Sequence, residues 1–172
     1  IFSPDGLAGV LRVPIDTNTG DPGVPTLGGA VLLQINTTGR AVNQTIAVGN
    51  TVIAIKFTAQ EGRVVRFAIL NASVSIPPFF ELTGDFTIQS EGDMTLYGAR
   101  NVEIFLGSLP TGQTLRDANG VLNPNAIGLL VTNATVGLIK WTSTSATAPA
   151  RYAVVAYGEA AFVGVDGLTI SG

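Results

Sequence analysis

Four carboxylates, Asp85, Glu91, Asp93 and Glu103, stand on or beside strand-like segments, and a pair of such groups flanking a glycosidic bond is the minimum equipment of a glycosidase. Other acid-base chemistry is short of parts. The 172 residues include no His and no Cys, which removes the commonest general base, thiolate nucleophiles, disulfides and Cys-based metal sites. Glu91 and Asp93 flank Gly92 at a hairpin tip, where water keeps both ionised and neither tuned. Asp85 follows Gly84 at a strand start, a common turn position. The carboxylates read as turn and surface groups, and the chain as a non-enzyme.

Two loops carry oxygen ligands at spacings that suit a hard cation. Asp16-Thr17-Asn18-Thr19-Gly20-Asp21 alternates carboxylate and amide oxygens before a Gly that permits a sharp wrap, as calcium loops do, but no Glu closes it. Asp117-Ala118-Asn119-Gly120, with Asn123 and Asn125, has a similar set with one formal charge. Calcium is the ion that Asp16, Asn18, Asp21, Asp117 and Asn119 would take; a solvated turn that requires no cofactor is the simpler expectation. Trp141, with Tyr152 and Tyr157, could form an aromatic platform for a surface glycan, although aromatics at cross-strand positions more often pack a core. Asn36, Asn43, Asn71 and Asn133 each open an Asn-x-Ser/Thr acceptor pattern, which a chain this rich in Asn and Thr produces by accident.

The elements that must position these residues are strands. Apolar residues make up 46% of the chain and charged residues only 12%, with Thr, Ser, Asn and Gly as filler, which favours a β protein with a neutral polar face. So few charges also imply apolar surface covered by neighbouring copies. A net charge of −3 with scattered Lys and Arg excludes a basic stripe, so no nucleic-acid partner is expected, and no apolar run approaches the ~18 to 20 residues of a membrane-spanning helix. No signal peptide is visible and the chain starts at Ile1, so it reads as a mature product or an excised fragment.

Period-two segments 51–58 and 63–70, separated by Ala59-Gln60-Glu61-Gly62, predict a hairpin. Segments 86–90 and 94–97 around Glu91-Gly92-Asp93 predict a second, and 136–141 with 151–157 a third, its turn enlarged to 142–150. Between hairpins the chain is expected to bend or bulge at Asn71-Ala72, Gly98-Ala99, Asn133-Ala134 and Gly158-Glu159, since Asn and Gly suit the positive φ angles that such kinks require, before strands resume. Residues 15–29 and 107–125, rich in Gly, Pro and Asn, read as loops, with a weak helical pattern over 114–118. The expected fold is a single all-β module: an antiparallel meander of hairpins forming a sandwich or an elongated open sheet stack.

Asp5-Gly6-Leu7 with Phe2 opens the chain, and Asp166-Gly167-Leu168 with Phe162 closes it. A match about one domain length apart suggests one unit of a tandem or head-to-tail array, with Phe2, Asp5, Gly6, Leu7, Asp166, Gly167 and Leu168 at the module junction. In order along the chain, Gln34 to Val42 (containing Asn-Thr-Thr-Gly), Leu82 to Ile88 (Thr-Gly-Asp-Phe), Val102 to Gly107 (Phe-Leu-Gly) and Gly164 to Gly172 (Asp-Gly-Leu-Thr-Ile-Ser-Gly) together resemble a repeat module of giant bacterial tandem-repeat, adhesin-like surface proteins of the RTX or LEPR-XLL type. The nonapeptide calcium repeat of RTX proteins is absent. The resemblance implies an extracellular or cell-surface, non-enzymatic module whose partners are further copies of itself in a fibre.

Overall fold

The computed structural model describes residues 2–19, 21, 24–142, 151–165 and 167, with Phe2 and Ser3 described by their backbone alone. Ten strands account for most of them: β1 (Phe2–Ser3), β2 (Gly6–Asp16), β3 (Thr26–Asn36), β4 (Val42–Val48), β5 (Thr51–Phe57), β6 (Val64–Ile76), β7 (Phe80–Glu91), β8 (Met94–Ser108), β9 (Ile127–Trp141) and β10 (Arg151–Val163). Eight form one antiparallel sheet in the order β1-β2-β3-β6-β7-β8-β9-β10, and β4 pairs with β5 separately. The all-β antiparallel meander is thus present as an open sheet, not closed into a barrel.

Cross-strand register sorts the side chains onto two faces. Ala8, Asn36, Val64, Glu91, Met94, Trp141 and Arg151 lie opposite one another at one end of the strands and share a face. At that end the β4–β5 hairpin packs down on this face, burying Ile55 and Phe57 against Ala8 and Val64, with Val10 and Val42 around them. At the other end of the strands, loop 109–126 covers the same face, burying Leu109, Leu115 and Ala126 against Phe105 and Leu130. Two small cores therefore hold down one side of the sheet.

Asn36 pins the corner between sheet and hairpin. It is fully buried, and its Nδ2 donates to the carbonyls of Arg40 (2.9 Å) and Glu61 (2.8 Å), while its Oδ1 accepts from Thr38 N (3.1 Å) and Thr38 Oγ1 (2.8 Å). Both amide donors and the acceptor are satisfied, so the burial is tolerated. The next residue ties the N-terminus to the same corner, since Thr37 Oγ1 accepts from Leu7 N at 2.9 Å.

The ladder breaks along one transverse line. Register shifts fall between Gly28 and Ala30 of β3, Ile69 and Ala72 of β6, Thr83 and Asp85 of β7, Ala99 and Val102 of β8, and Tyr157 and Glu159 of β10. Asn71, Asn101 and Asn133 enter this line with φ of 50°, 52° and 53°, each adding one residue to its strand as a bulge. Opposite them stand Gly29, Gly84 and Gly158, where there is no room for a side chain. A Cβ on Gly29 would lie 2.9 Å from Leu70 O, one on Gly84 3.0 Å from Val102 Cγ2, and one on Gly158 3.0 Å from Ala134 Cα.

Several expectations need correction. The 51–58 segment does not pair with 63–70: β5 pairs with β4, and β6 lies between β3 and β7. The 59–62 turn is a corner held against the β3–β4 connection, with Gly39 N donating to Gly62 O at 2.7 Å. The expected kinks at Asn71, Asn133 and Gly158 are bulges inside single long strands, whereas the break in β8 is at Asn101 rather than Gly98-Ala99. β2 runs to Asp16 and β3 begins at Thr26, so strand takes both ends of the expected 15–29 loop; the second loop lies at 109–126, close to expectation, and within it Arg116 bridges Leu122 where a weak helical pattern stood.

The bulge line predicts an asymmetric response to substitution. Asn71→Gly should leave the unfolding free energy nearly unchanged, whereas Asn71→Ala should cost about 1 kcal/mol for the left-handed backbone. Gly29→Ala, against two carbonyl oxygens, should cost roughly 1–3 kcal/mol in urea titration.

Candidate functional site

Three of the four carboxylates with catalytic potential, Asp85, Glu91 and Glu103, are bonded into the scaffold. Asp85 sits at the bulge line, where its Oδ1 accepts from Asn71 N at 2.8 Å and its Oδ2 from Arg100 Nε at 3.1 Å. The backbone donor first, and then Arg100, lower its pKa. Glu103 accepts from Nε and Nη2 along one edge of the Arg116 guanidinium, at 2.6 to 3.0 Å, while Nη1 donates to Gly120 O; the pairing with Glu103 raises the Arg116 pKa. Glu91 accepts from Gln89 Nε2 at 2.9 Å, and Asp93 lies in the β7–β8 tip. Glu61 closes a polar string on the covered face: Arg66 donates to Glu61, Gln34 and Gln89, and Thr58 N donates to Glu61. The Thr58 amide is the main reason its pKa falls.

Glu81, absent from the candidates that spacing suggests, is pushed upward, because burial under loop 109–126 desolvates it and Glu103 adds like charge. The Leu115 amide, 3.3 Å away, partly offsets this. Its signal in the sequence is faint: a lone Glu between Phe80 and Leu82 in an apolar strand.

Of the expected cation ligands, Asp16 and Asp117 already use a carboxylate oxygen within their own turns. Asp16 Oδ1 accepts from Asn18 N at 2.9 Å, and Asp21 N donates to Thr19 Oγ1 at 3.4 Å. Asp117 Oδ1 accepts from Val121 N and Asn119 N, both at 2.8 Å, and these amides lower its pKa, Val121 foremost. Among the described residues no group of three or more acidic side chains is placed to hold an ion. Glycan stacking by Trp141 also lacks its companions. Tyr152 pairs with Lys140 and so points to the opposite face from Trp141, and Tyr157 pairs with Thr135, six residues along β9. Arg151 lies over the Trp141 ring instead, 5.8 Å from its centroid.

Of the residues expected at a module junction, Phe2 and Leu7 pair across a tight turn at Pro4-Asp5, and Asp5 bonds Arg40 at 2.7 Å. Gly6 opens β2. Gly167 is a turn residue with φ of 79°, whereas Asp166 and Leu168 lie outside the described residues. β2 and β10 run in the same direction, so Asp5-Gly6 precedes the start of one strand while Gly167 follows the end of another. These are turns at opposite ends of the sheet.

What the residues do assemble is an open apolar face. Leu11 and Val13 of β2, Val65, Phe67 and Ile76 of β6, Ile88 of β7, Tyr97 and Leu106 of β8, Val136 of β9, and Tyr152, Val154 and Phe162 of β10 share the side away from both cores, and all are exposed. Near its centre a shallow depression of about 390 Å³ is lined by Phe67, Ile69, Phe86, Ile88, Tyr97 and Leu138, among others. At about 4.8 Å per strand spacing and about 3.3 Å per residue, the face from β2 to β10 covers roughly 1,100 Å². That exceeds the largest apolar patch of an ordinary monomer, about 300–600 Å².

Comparison with protein-family models, with curated proteins and with solved structures finds no match.

The carboxylate environments predict opposite pH responses. Glu81 must ionise against burial in the folded state, so Glu81→Gln should raise the thermal midpoint at pH 7. The gain should shrink as the pH falls and wild-type Glu81 becomes protonated. Asp85→Asn should lower the midpoint at neutral pH, with the difference closing below the ordinary aspartate pKa, where the wild-type carboxylate also loses its charge.

Proposed function

We propose that this chain is a non-enzymatic structural and adhesive module that buries its open apolar face and sheet edges against neighbouring copies in an extracellular, cell-surface fibre. The open face carries this reading: it has the area of a stable protein interface, about 800 Å² per partner, and large exposed side chains from β2 at one side of the sheet to β10 at the other. The supporting chemistry is negative in a specific way. Asp85, Glu61 and Glu103, groups with the chemistry to act on a substrate, are tied into bulges and ion pairs, so the polar chemistry serves the scaffold. The resemblance to tandem adhesin-like modules supplies the extracellular setting and the head-to-tail arrangement. Glycan binding through Trp141 is the weaker reading, because its ring is engaged by Arg151 and the two tyrosines stand elsewhere.

Sedimentation velocity over a concentration series tests it. Wild-type protein should associate reversibly. Ile88→Lys and Val154→Lys, at side chains 46% and 67% exposed and therefore costing little in folding, should weaken association at least about tenfold, an effect equivalent to ~1.4 kcal/mol. A monomer at all concentrations with wild-type sequence would overturn the proposal.

A further inference from the structure

The two outer strands of the sheet differ in how they end it. Edge strands are normally shielded by charge, by proline or by a covering segment, because their unpaired backbone is a template for another strand. β2 has all three: β1 pairs with its start, and Arg12, Pro14 and Asp16 follow. β10 is bare by comparison. Its 13 residues, Arg151–Val163, include no proline, and their only charges are Arg151 and Glu159. The bulge at this level belongs to β9. From the Tyr157–Thr135 pair to the Glu159–Thr132 pair, β10 advances by 159 − 157 = 2 residues and β9 by 135 − 132 = 3, so β10 runs straight.

The outward backbone groups of β10 follow from the register. Thr142 N donates to Asp93 O at 2.7 Å, one step beyond the Met94–Trp141 pair, so even-numbered residues in this half of β9 bond β8 and odd-numbered ones bond β10. Arg151, Ala153, Val155 and Tyr157 stand opposite those odd-numbered residues and bond inward. Tyr152, Val154, Ala156 and Gly158 therefore present their N–H and C=O groups outward, and among the described residues no strand pairs with them. We propose that this edge pairs, antiparallel and around a two-fold axis at Val155, with the β10 edge of a second copy, so that two sheets become one. This rests on the neighbour-copy reading above and names its edge contact.

The strand is self-complementary in that register. With Val155 opposite its own copy, residue 151 meets 159, 152 meets 158, 153 meets 157 and 154 meets 156. Arg151 then faces Glu159 of the second copy, and symmetry makes the pair twice. Neither residue belongs to an ion pair among the described residues. Large side chains also fall beside small ones: Tyr152 against Gly158, Tyr157 against Ala153 and Val154 against Ala156. Moving the axis to Val154 or Ala156 sets Arg151 opposite Tyr157 or Ala161 and parts it from Glu159. An axis between two residues sets the covered face of one copy beside the open face of the other. The matched register instead keeps both open apolar faces on one side, so that surface continues across the contact.

A cysteine-free chain makes the axis directly testable. The two copies of Val155 form a non-hydrogen-bonded pair with Cα atoms about 4.5 Å apart, inside the range a disulfide spans. The two copies of Val154 are diagonal neighbours about 7–8 Å apart, outside it. Val155→Cys should form the covalent dimer at least about tenfold faster than Val154→Cys. The two side chains are 57% and 67% exposed, so neither substitution costs much in folding. Arg151→Glu and Glu159→Arg should each weaken association in sedimentation at least about tenfold, because each opposes like charges at both symmetric positions. An equimolar mixture of these two variants should regain association, since every charge pair across the mixed dimer is then opposite in sign, and recovery excludes misfolding as the cause. Equal cross-linking rates for the two cysteine variants, or a mixture that associates no better than its components, would overturn the edge pairing. If wild-type copies associate while either of those results is found, the edge pairing falls and the neighbour-copy reading stands; if wild-type protein stays monomeric at every concentration, both fall.

Discussion

Every long strand from β3 to β10 has to change register at the same transverse level, and the molecule meets this by setting a left-handed Asn against a Gly. An extra residue in β6, β8 and β9 would otherwise turn half of each strand inside out, because side chains alternate with a period of two. Since the bulges occur in register across the sheet, every strand keeps its apolar row on the same side from end to end. Asp85 reinforces the line by bonding the Asn71 amide and Arg100. A continuous apolar face is a consequence of that alignment.

How much of this was legible in the sequence depended on how local the determinant was. The β7–β8 hairpin could be read from Glu91-Gly92-Asp93 between two alternating runs, because the turn and both strands lie within a dozen residues. The same logic misassigned β5, whose partner β4 is equally near in sequence but less regular in pattern. The bulges were visible as interruptions at Asn71 and Asn133, yet an isolated break looks the same whether the chain turns or merely kinks. Only the neighbouring strands distinguish them. Asn101 escaped notice because Gly98 is the stronger breaker by residue type, whereas position across the sheet decides where the kink must fall.

The site was less legible than the fold. Asn36, read as part of an acceptor pattern, is a fully satisfied buried amide at a corner. Asp117 and Asp16, weighed as cation ligands against the favoured reading of plain turns, cap turns. Short polar side chains in Asn- and Thr-rich loops bond nearby backbone first, so ligand-like spacing arises without a ligand. The feature that suggests a partner is instead cumulative: individually ordinary Val, Ile, Phe and Tyr residues become a surface only when seven strands align them, and the open edge of β10 becomes evident only from which backbone groups β9 already occupies.

The most direct measure of the central claim is amide hydrogen exchange at Val154 and Ala156, whose N–H groups face the open edge of β10. Exchange should be fast in dilute protein and slow markedly in the associated form, while amides bonded to β9 remain protected in both. Unchanged fast exchange at these two amides in the associated form would contradict extension of the sheet by a neighbouring copy.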